Sequence, residues 1–228
     1  MKQIFSSLLM CLSFVLTAQD INSYDTNGKR HGIWKKNFEG TEITRYEGEF
    51  KNGKETGLFK FYKNVDNKPL LSATKTFNPD TGIADVKFLT SNGKVISEGQ
   101  MQDKNYIGVW KYYQKNSNQL LTLEHYNENG HLSGERKVYY PNGILAEKQH
   151  YKNGKLHGKS TMYSKQNKII SSVVYVEGKL HGEAKYYSKG KLNIEGQYKN
   201  DKKYGTWKYY EDGTLTEKKS FSSPSKKP

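Results

Sequence analysis

Lys199-Asn-Asp-Lys-Lys-Tyr-Gly205-Thr-Trp207-Lys-Tyr209-Tyr210-Glu-Asp-Gly213-Thr-Leu215 is the stretch on which the fold turns, because degraded copies of it recur along nearly the whole chain. It divides into a turn, a core Gly-x-Trp-Lys-Tyr-Tyr, a second turn ending in glycine, and a Leu with an aromatic residue six positions further on. Anchoring each copy on its first glycine gives Gly32, Gly57, Gly82, Gly108, Gly134, Gly158, Gly182 and Gly205, with steps of 25, 25, 26, 26, 24, 24 and 23 residues. A period held so closely over eight copies is the signature of a repeat architecture, in which each unit buries its apolar face mainly against its neighbours.

Within the core the side chains alternate. Trp207 and Tyr209 share one face and Lys208 and Tyr210 the other, which is strand periodicity. The same alternation runs through Val109-Trp110-Lys111-Tyr112-Tyr113, Arg136-Lys137-Val138-Tyr139-Tyr140 and Ala184-Lys185-Tyr186-Tyr187, all residues suited to a half-buried pleated surface. A second strand starts two residues after the turn glycine, as in Leu192-x5-Tyr198 and Leu145-x5-Tyr151, with both anchors on one face. Each unit is therefore read as a hairpin. Asn27-Gly28, Asn52-Gly53, Asn92-Gly93, Asn129-Gly130, Asn142-Gly143, Asn153-Gly154 and Asp212-Gly213 supply the turns, both residues tolerating positive φ. The expectation is an all-β chain: an elongated open antiparallel meander of eight hairpins with about sixteen strands, spanning about 75 Å at the usual strand spacing. The repeat-core positions are Gly32, Trp34, Gly57, Gly108, Trp110, Tyr112, Gly134, Tyr139, Gly158, Gly182, Tyr186, Gly205, Trp207 and Tyr209. Two regions depart from the pattern. Asn64 to Asp80 reads as a longer connection carrying Pro69 and Pro79, and the Gly82 unit lacks the Trp-Lys-Tyr-Tyr core, as drift in a tolerant repeat or as a bend or binding loop.

Met1 to Ala18 differs in kind: Lys2, an apolar run from Ile4 to Leu16, and small Ala18 before Gln19. That is the pattern of a secretory signal, too short to span a bilayer, so the expected domains are residues 1–18 as signal, 19–221 as the repeat array and 222–228 as an unstructured basic tail. Cys11, the one cysteine, falls inside the signal; lipid attachment there is disfavoured because Met10 is not small and the apolar run continues past it. Export to the periplasm, envelope or medium without disulfides leaves the fold to its ladder and packing. Without Lys2 the chain carries 36 basic against 23 acidic residues, a net +13 that favours acidic partners. Leu, Ile, Val and Phe total only 38 of the 210 residues after the signal, yet all eighteen Tyr lie there at repeat-specific positions, which argues against disorder.

Tyr151-Lys-Asn-Gly-Lys-Leu-His-Gly158 and the Gly-x-Trp-Lys-Tyr-Tyr motifs at Gly108 and Gly205 resemble the MORN repeat, in the bacterial variant found in exported proteins labelled YwqK-family antitoxins. The resemblance runs from Asn27 to about Phe221. It implies an open antiparallel sheet used for protein or lipid contact, without catalytic residues, and a possible toxin partner, which for an exported chain would have to be met outside the cytoplasm.

Catalytic, cofactor and metal sites are not expected. His31, His157 and His181 each precede a repeat glycine, but residues one repeat apart lie about 9.5 Å from each other, whereas two nitrogens on one zinc can be no more than about 4 Å apart. Glu98, Glu147, Glu195 and Glu217 recur on second strands facing lysine-rich neighbours, which reads as cross-strand charge pairing. No nucleophile elbow or phosphate loop is present in the sequence, and a hydrolase would need unlike polar residues at one spot, where this chain shows repeated, similar ones. Nucleic acid is not an expected partner, since the aromatics that could stack bases are needed as core. The sequence reading is thus a binding or scaffolding module for a protein or an anionic envelope surface, with an antitoxin or immunity protein as the alternative.

Overall fold

Alternating aromatic and basic residues between turn signals form eighteen antiparallel strands and no helix among the described residues, 20–115 and 117–221 of the computed structural model. The expected signal and tail lie outside the described residues. The first half comprises β1 (Ser23–Tyr24), β2 (Arg30–Asn37), β3 (Thr44–Lys51), β4 (Lys54–Val65), β5 (Lys68–Phe77), β6 (Ile83–Leu89), β7 (Val95–Gln102), β8 (Asn105–Tyr113) and β9 (Leu120–Tyr126). The second comprises β10 (Gly134–Tyr139), β11 (Leu145–Lys152), β12 (Lys155–Leu156), β13 (Gly158–Tyr163), β14 (Ile169–Val176), β15 (Lys179–Ser188), β16 (Lys191–Lys199), β17 (Lys202–Glu211) and β18 (Thr214–Phe221). Successive strands pair along the chain, β12 and β13 both against β11, so the sheet is a meander with free edges at β1 and β18. It is open and does not close into a barrel.

The eight repeat glycines each open one hairpin, from β2–β3 to β17–β18. The strand total exceeds sixteen for two reasons. β1 is half of a further second strand placed before the first repeat, and His157 divides what is elsewhere one strand into β12 and β13.

The turns fall into two classes rather than one. Asn52-Gly53 (φ +53 and +83), Asn153-Gly154 (+48 and +80) and Asp212-Gly213 (+50 and +91) are two-residue turns with both residues left-handed. At Asn27-Gly28, Asn92-Gly93, Asn129-Gly130 and Asn142-Gly143 only the glycine has positive φ. There the loop is longer, and at the first and third of them a preceding side chain organises it: Asp25 Oδ1 accepts from the amides of Asn27 and Lys29, both at 2.9 Å, and Asn127 Oδ1 does the same for Asn129 and His131.

The segment from Asn64 to Asp80 is not a long connection. β4 runs to Val65, Asp66-Asn67 (φ +49 and +57) makes the turn, and Pro69 lies inside β5 opposite Asn64. Proline is tolerated because β6 pairs with β5 only from Ala73 onward, so no neighbour needs the missing N–H.

Candidate functional site

One face of the sheet carries the rings and the other carries paired charges. On the ring face, Trp110 and Trp207 are almost fully buried although only a single layer of sheet lies beneath them. The cause is a glycine in the preceding hairpin. A Cβ on Gly99 would lie 2.5 Å from the Trp110 ring, one on Gly196 2.3 Å from Trp207, and one on Gly48 2.4 Å from Phe59, so each ring lies flat on bare backbone. The ladder shifts register at that point, between Glu98 and Gln100 and between Glu195 and Gln197, because the left-handed repeat glycine (Gly108, φ +64; Gly205, φ +67) makes the facing strand bulge. The indole N–H then bonds the carbonyl beside the shift: Trp110 Nε1 to Gln100 O at 2.9 Å and Trp207 Nε1 to Gln197 O at 3.1 Å. Trp34 makes the equivalent bond to Ser23 O at 3.0 Å, which is the role of β1.

A side chain two residues before the repeat glycine covers the ring. Tyr106 stacks on Trp110 with centroids 3.8 Å apart; the Lys203 ammonium lies 4.3 Å from the Trp207 centroid, and the Arg30 guanidinium lies 4.9 Å from that of Trp34 and 5.1 Å from Phe50. Where the seat is not glycine, the facing residue changes with it. Val173 meets Ala184, and Glu124 meets Arg136.

Arg136 centres a spot on the ring face where unlike polar residues converge, contrary to the expectation of uniform, repeated ones. Its Nε donates to Glu124 at 3.0 Å, and its Nη1 reaches Glu147 at 3.5 Å and Gln149 at 3.2 Å. Gln149 donates to Glu147 at 3.0 Å and Tyr126 to Glu124 at 2.7 Å; burial, then the bond to Glu124, pushes the Tyr126 hydroxyl well above the usual tyrosine range. The network is closed on itself. It separates the cluster of Ala84, Val86, Met101 and Trp110 from that of Val173, Ala184 and Trp207.

On the outer face, a carboxylate from one repeat accepts a tyrosine hydroxyl and a lysine from the next. Glu47 takes Tyr62 at 2.7 Å and Lys60 at 3.3 Å, Glu98 takes Tyr113 at 2.5 Å and Lys111 at 3.8 Å with Lys87 of its own hairpin also at 3.8 Å, and Glu195 takes Tyr210 at 2.8 Å and Lys208 at 2.9 Å. Burial followed by these bonds raises Tyr62 and Tyr113 to about 12. The four glutamates singled out in the sequence therefore split. Glu98 and Glu195 face outward, Glu147 joins the Arg136 network on the ring face, and Glu217 contacts Lys219 of its own strand rather than a neighbour. Of the other positions named there, Tyr112, Tyr186 and Tyr209 lie with the rings, whereas Tyr139 follows the register of Tyr210 and stands outward beside Lys137. His157 Nδ1 lies 3.5 Å from Glu177 without hydrogen-bonding to it, and His181 Nδ1 lies 3.4 Å from Asn200, so the two histidines face different neighbours.

Glu135 is the most perturbed carboxylate on this face, held at about 2 by hydrogen bonds from Lys148 and then Lys137. Its folded value lies below its unfolded one, so its contribution is fully present above about pH 4.5 and is lost as pH falls toward 2. Glu135→Gln should be less stable than the parent at pH 6, with the gap closing by pH 2; a pH series of urea melts checks this, and a constant gap would show that the ion pairs contribute nothing.

These features define a class: an open, single-sheet repeat protein whose residues are used for mutual packing and surface presentation. The family model for the MORN repeat variant matches residues 132–153 and 180–200, so MORN repeats are present in the second half of the chain. MORN repeats are in general binding and scaffolding modules. A search of curated proteins returns no match.

Proposed function

We propose that the chain is an exported, non-enzymatic binding or scaffolding module that engages an acidic protein or an anionic envelope surface. The observation that carries this reading is where the lysines stand. Lys51 and Lys54, Lys152 and Lys155, and Lys199 and Lys202 flank turns where the strands end on one side, and Lys165, Lys168, Lys189 and Lys191 flank turns at the opposite strand ends, all exposed. Two cationic rims on a rigid sheet suit a broad acidic partner. Each lysine near an anionic surface contributes only about 1 kcal/mol and is screened beyond about 8 Å at physiological salt, so affinity has to be distributed. Co-sedimentation with anionic vesicles is expected to be strong at low salt and absent at high salt, with no binding to neutral vesicles. Binding that survives high salt would refute the electrostatic reading. An immunity role, which the sequence resemblance suggests, differs in cargo: affinity purification from the native envelope would recover one tight partner rather than several components.

A further inference from the structure

Repeats two and three break the covering rule of the ring face. In the others the residue two before the repeat glycine is Arg30, Tyr106, Leu132, Leu156, Leu180 or Lys203: a cation, a ring or a leucine. In these two it is Glu55 and Asp80. A carboxylate is repelled by the negative face of an aromatic ring and cannot close over it. A recess of about 540 Å³ opens there, floored by Phe61 and Phe77 and walled by Glu55, Asp80 and Asp103. The third repeat contributes only Ala84 where the repeats on either side place Phe59 and Trp110.

The protein's own lids show what such a floor accepts. Arg30 and Lys203 bring cations within about 5 Å of paired rings, and inside the recess the Lys75 ammonium already lies 5.7 Å from the Phe61 centroid. Among the described residues none of the three wall carboxylates makes a close ion pair, in a chain with 37 basic residues; Glu55 is felt electrostatically by Lys75 without touching it. Lys54 and Lys75 also line the recess, leaving it with one net negative charge on a strongly basic protein.

We propose that this recess is a docking site for an arginine side chain of a partner polypeptide, its guanidinium over Phe61 and Phe77 and facing Glu55 and Asp80. Arginine fits better than lysine because its planar, weakly hydrated guanidinium stacks on rings and reaches two carboxylates at once. The site adjoins one cationic rim, with which it shares Lys54, but selects the opposite charge.

The test is NMR titration of the full chain with a capped Gly-Arg-Gly peptide, its citrulline counterpart and free arginine. The arginine peptide is expected to shift resonances of Phe61, Phe77 and Gly82 and the citrulline peptide to bind at least about tenfold more weakly; Glu55→Gln or Asp80→Asn should weaken arginine binding about three- to tenfold. Lys75→Met, which removes a competing charge, should tighten it. Glu55→Arg, copying the lid of the first repeat, should abolish binding while leaving the thermal midpoint at or above that of the parent. No binding of the arginine peptide in the millimolar range, equal binding of citrulline, or undiminished binding by a folded Glu55→Arg variant would overturn the site. Equal affinity for free arginine would overturn its assignment to a polypeptide.

Discussion

Trp207→Ala is expected to lower stability by about 3–5 kcal/mol, measured as a shift of the urea midpoint at unchanged slope. The ring is almost fully buried between the Gly196 backbone, Tyr198, Phe221 and the Lys203 side chain, and its N–H satisfies the Gln197 carbonyl where the ladder shifts register. Truncation removes the packing and leaves that carbonyl without its donor. A paired substitution separates this account from a general loss of aromatic surface. Gly196→Val alone should cost about 1–3 kcal/mol or more, because its Cβ would meet the indole at 2.3 Å and overpack the site. Combined with Trp207→Ala it rebuilds the pair Val173 and Ala184 that the preceding repeat interface uses, so the double variant should lose less than the sum of the singles. Strict additivity, or a Trp207→Ala variant that unfolds like the parent, would show that ring and glycine do not act as knob and seat.

Arg136→Met is expected to cost about as much, 3–5 kcal/mol in order of magnitude, for a different reason. Glu124 and Glu147 are both largely covered, with side chains 13% and 27% exposed, and Arg136 is the cation that both contact. Removing it leaves two carboxylates facing each other and Gln149 without a donor from the guanidinium. The penalty should fall on the stranded charges rather than on the fold, so adding Glu124→Gln and Glu147→Gln to Arg136→Met should recover most of it. Thermal melts of the single and triple variants decide the matter. A single variant as stable as the parent would mean that the network is not a structural joint, and its polar groups would then be free for a ligand. Should the loss occur as expected, hydrogen exchange should also rise on both sides of β10, since the network joins the ring clusters of the two halves.

The glycine period, the Asn-Gly turns and the alternation around Trp110 and Trp207 sufficed for eight hairpins in an open meander, because those signals are local: turn chemistry acts over four residues and strand alternation over two. The Asp66-Asn67 turn was illegible since neither residue is glycine, and Pro69 hid a strand that only the short reach of β6 permits. Tyr139 and Glu147 were grouped by residue type rather than by position: Tyr139 stands five residues after its glycine, as outward Tyr113 and Tyr210 do, and Glu147 two after Leu145 where Glu98 and Glu195 stand three after their anchors, so one lies outward and the other on the ring face.

What the sequence determined by itself is therefore the repeat, its number and its hairpin form. Tertiary structure decided what each repeat does with its core position. Gly99 and Trp110, Gly196 and Trp207, and Glu124 and Arg136 lie eleven or twelve residues apart, in successive repeats. They meet only because a left-handed glycine bulges one strand against the next, a cross-strand event to which single-strand periodicity is blind. The glycine seats do leave a trace, as Glu47-Gly48, Glu98-Gly99 and Glu195-Gly196 each precede a repeat with a large ring. The Arg136 network and the uncovered recess beside Phe77 leave no such trace. Each arises from several substitutions that are individually ordinary and act together only once neighbouring hairpins are stacked.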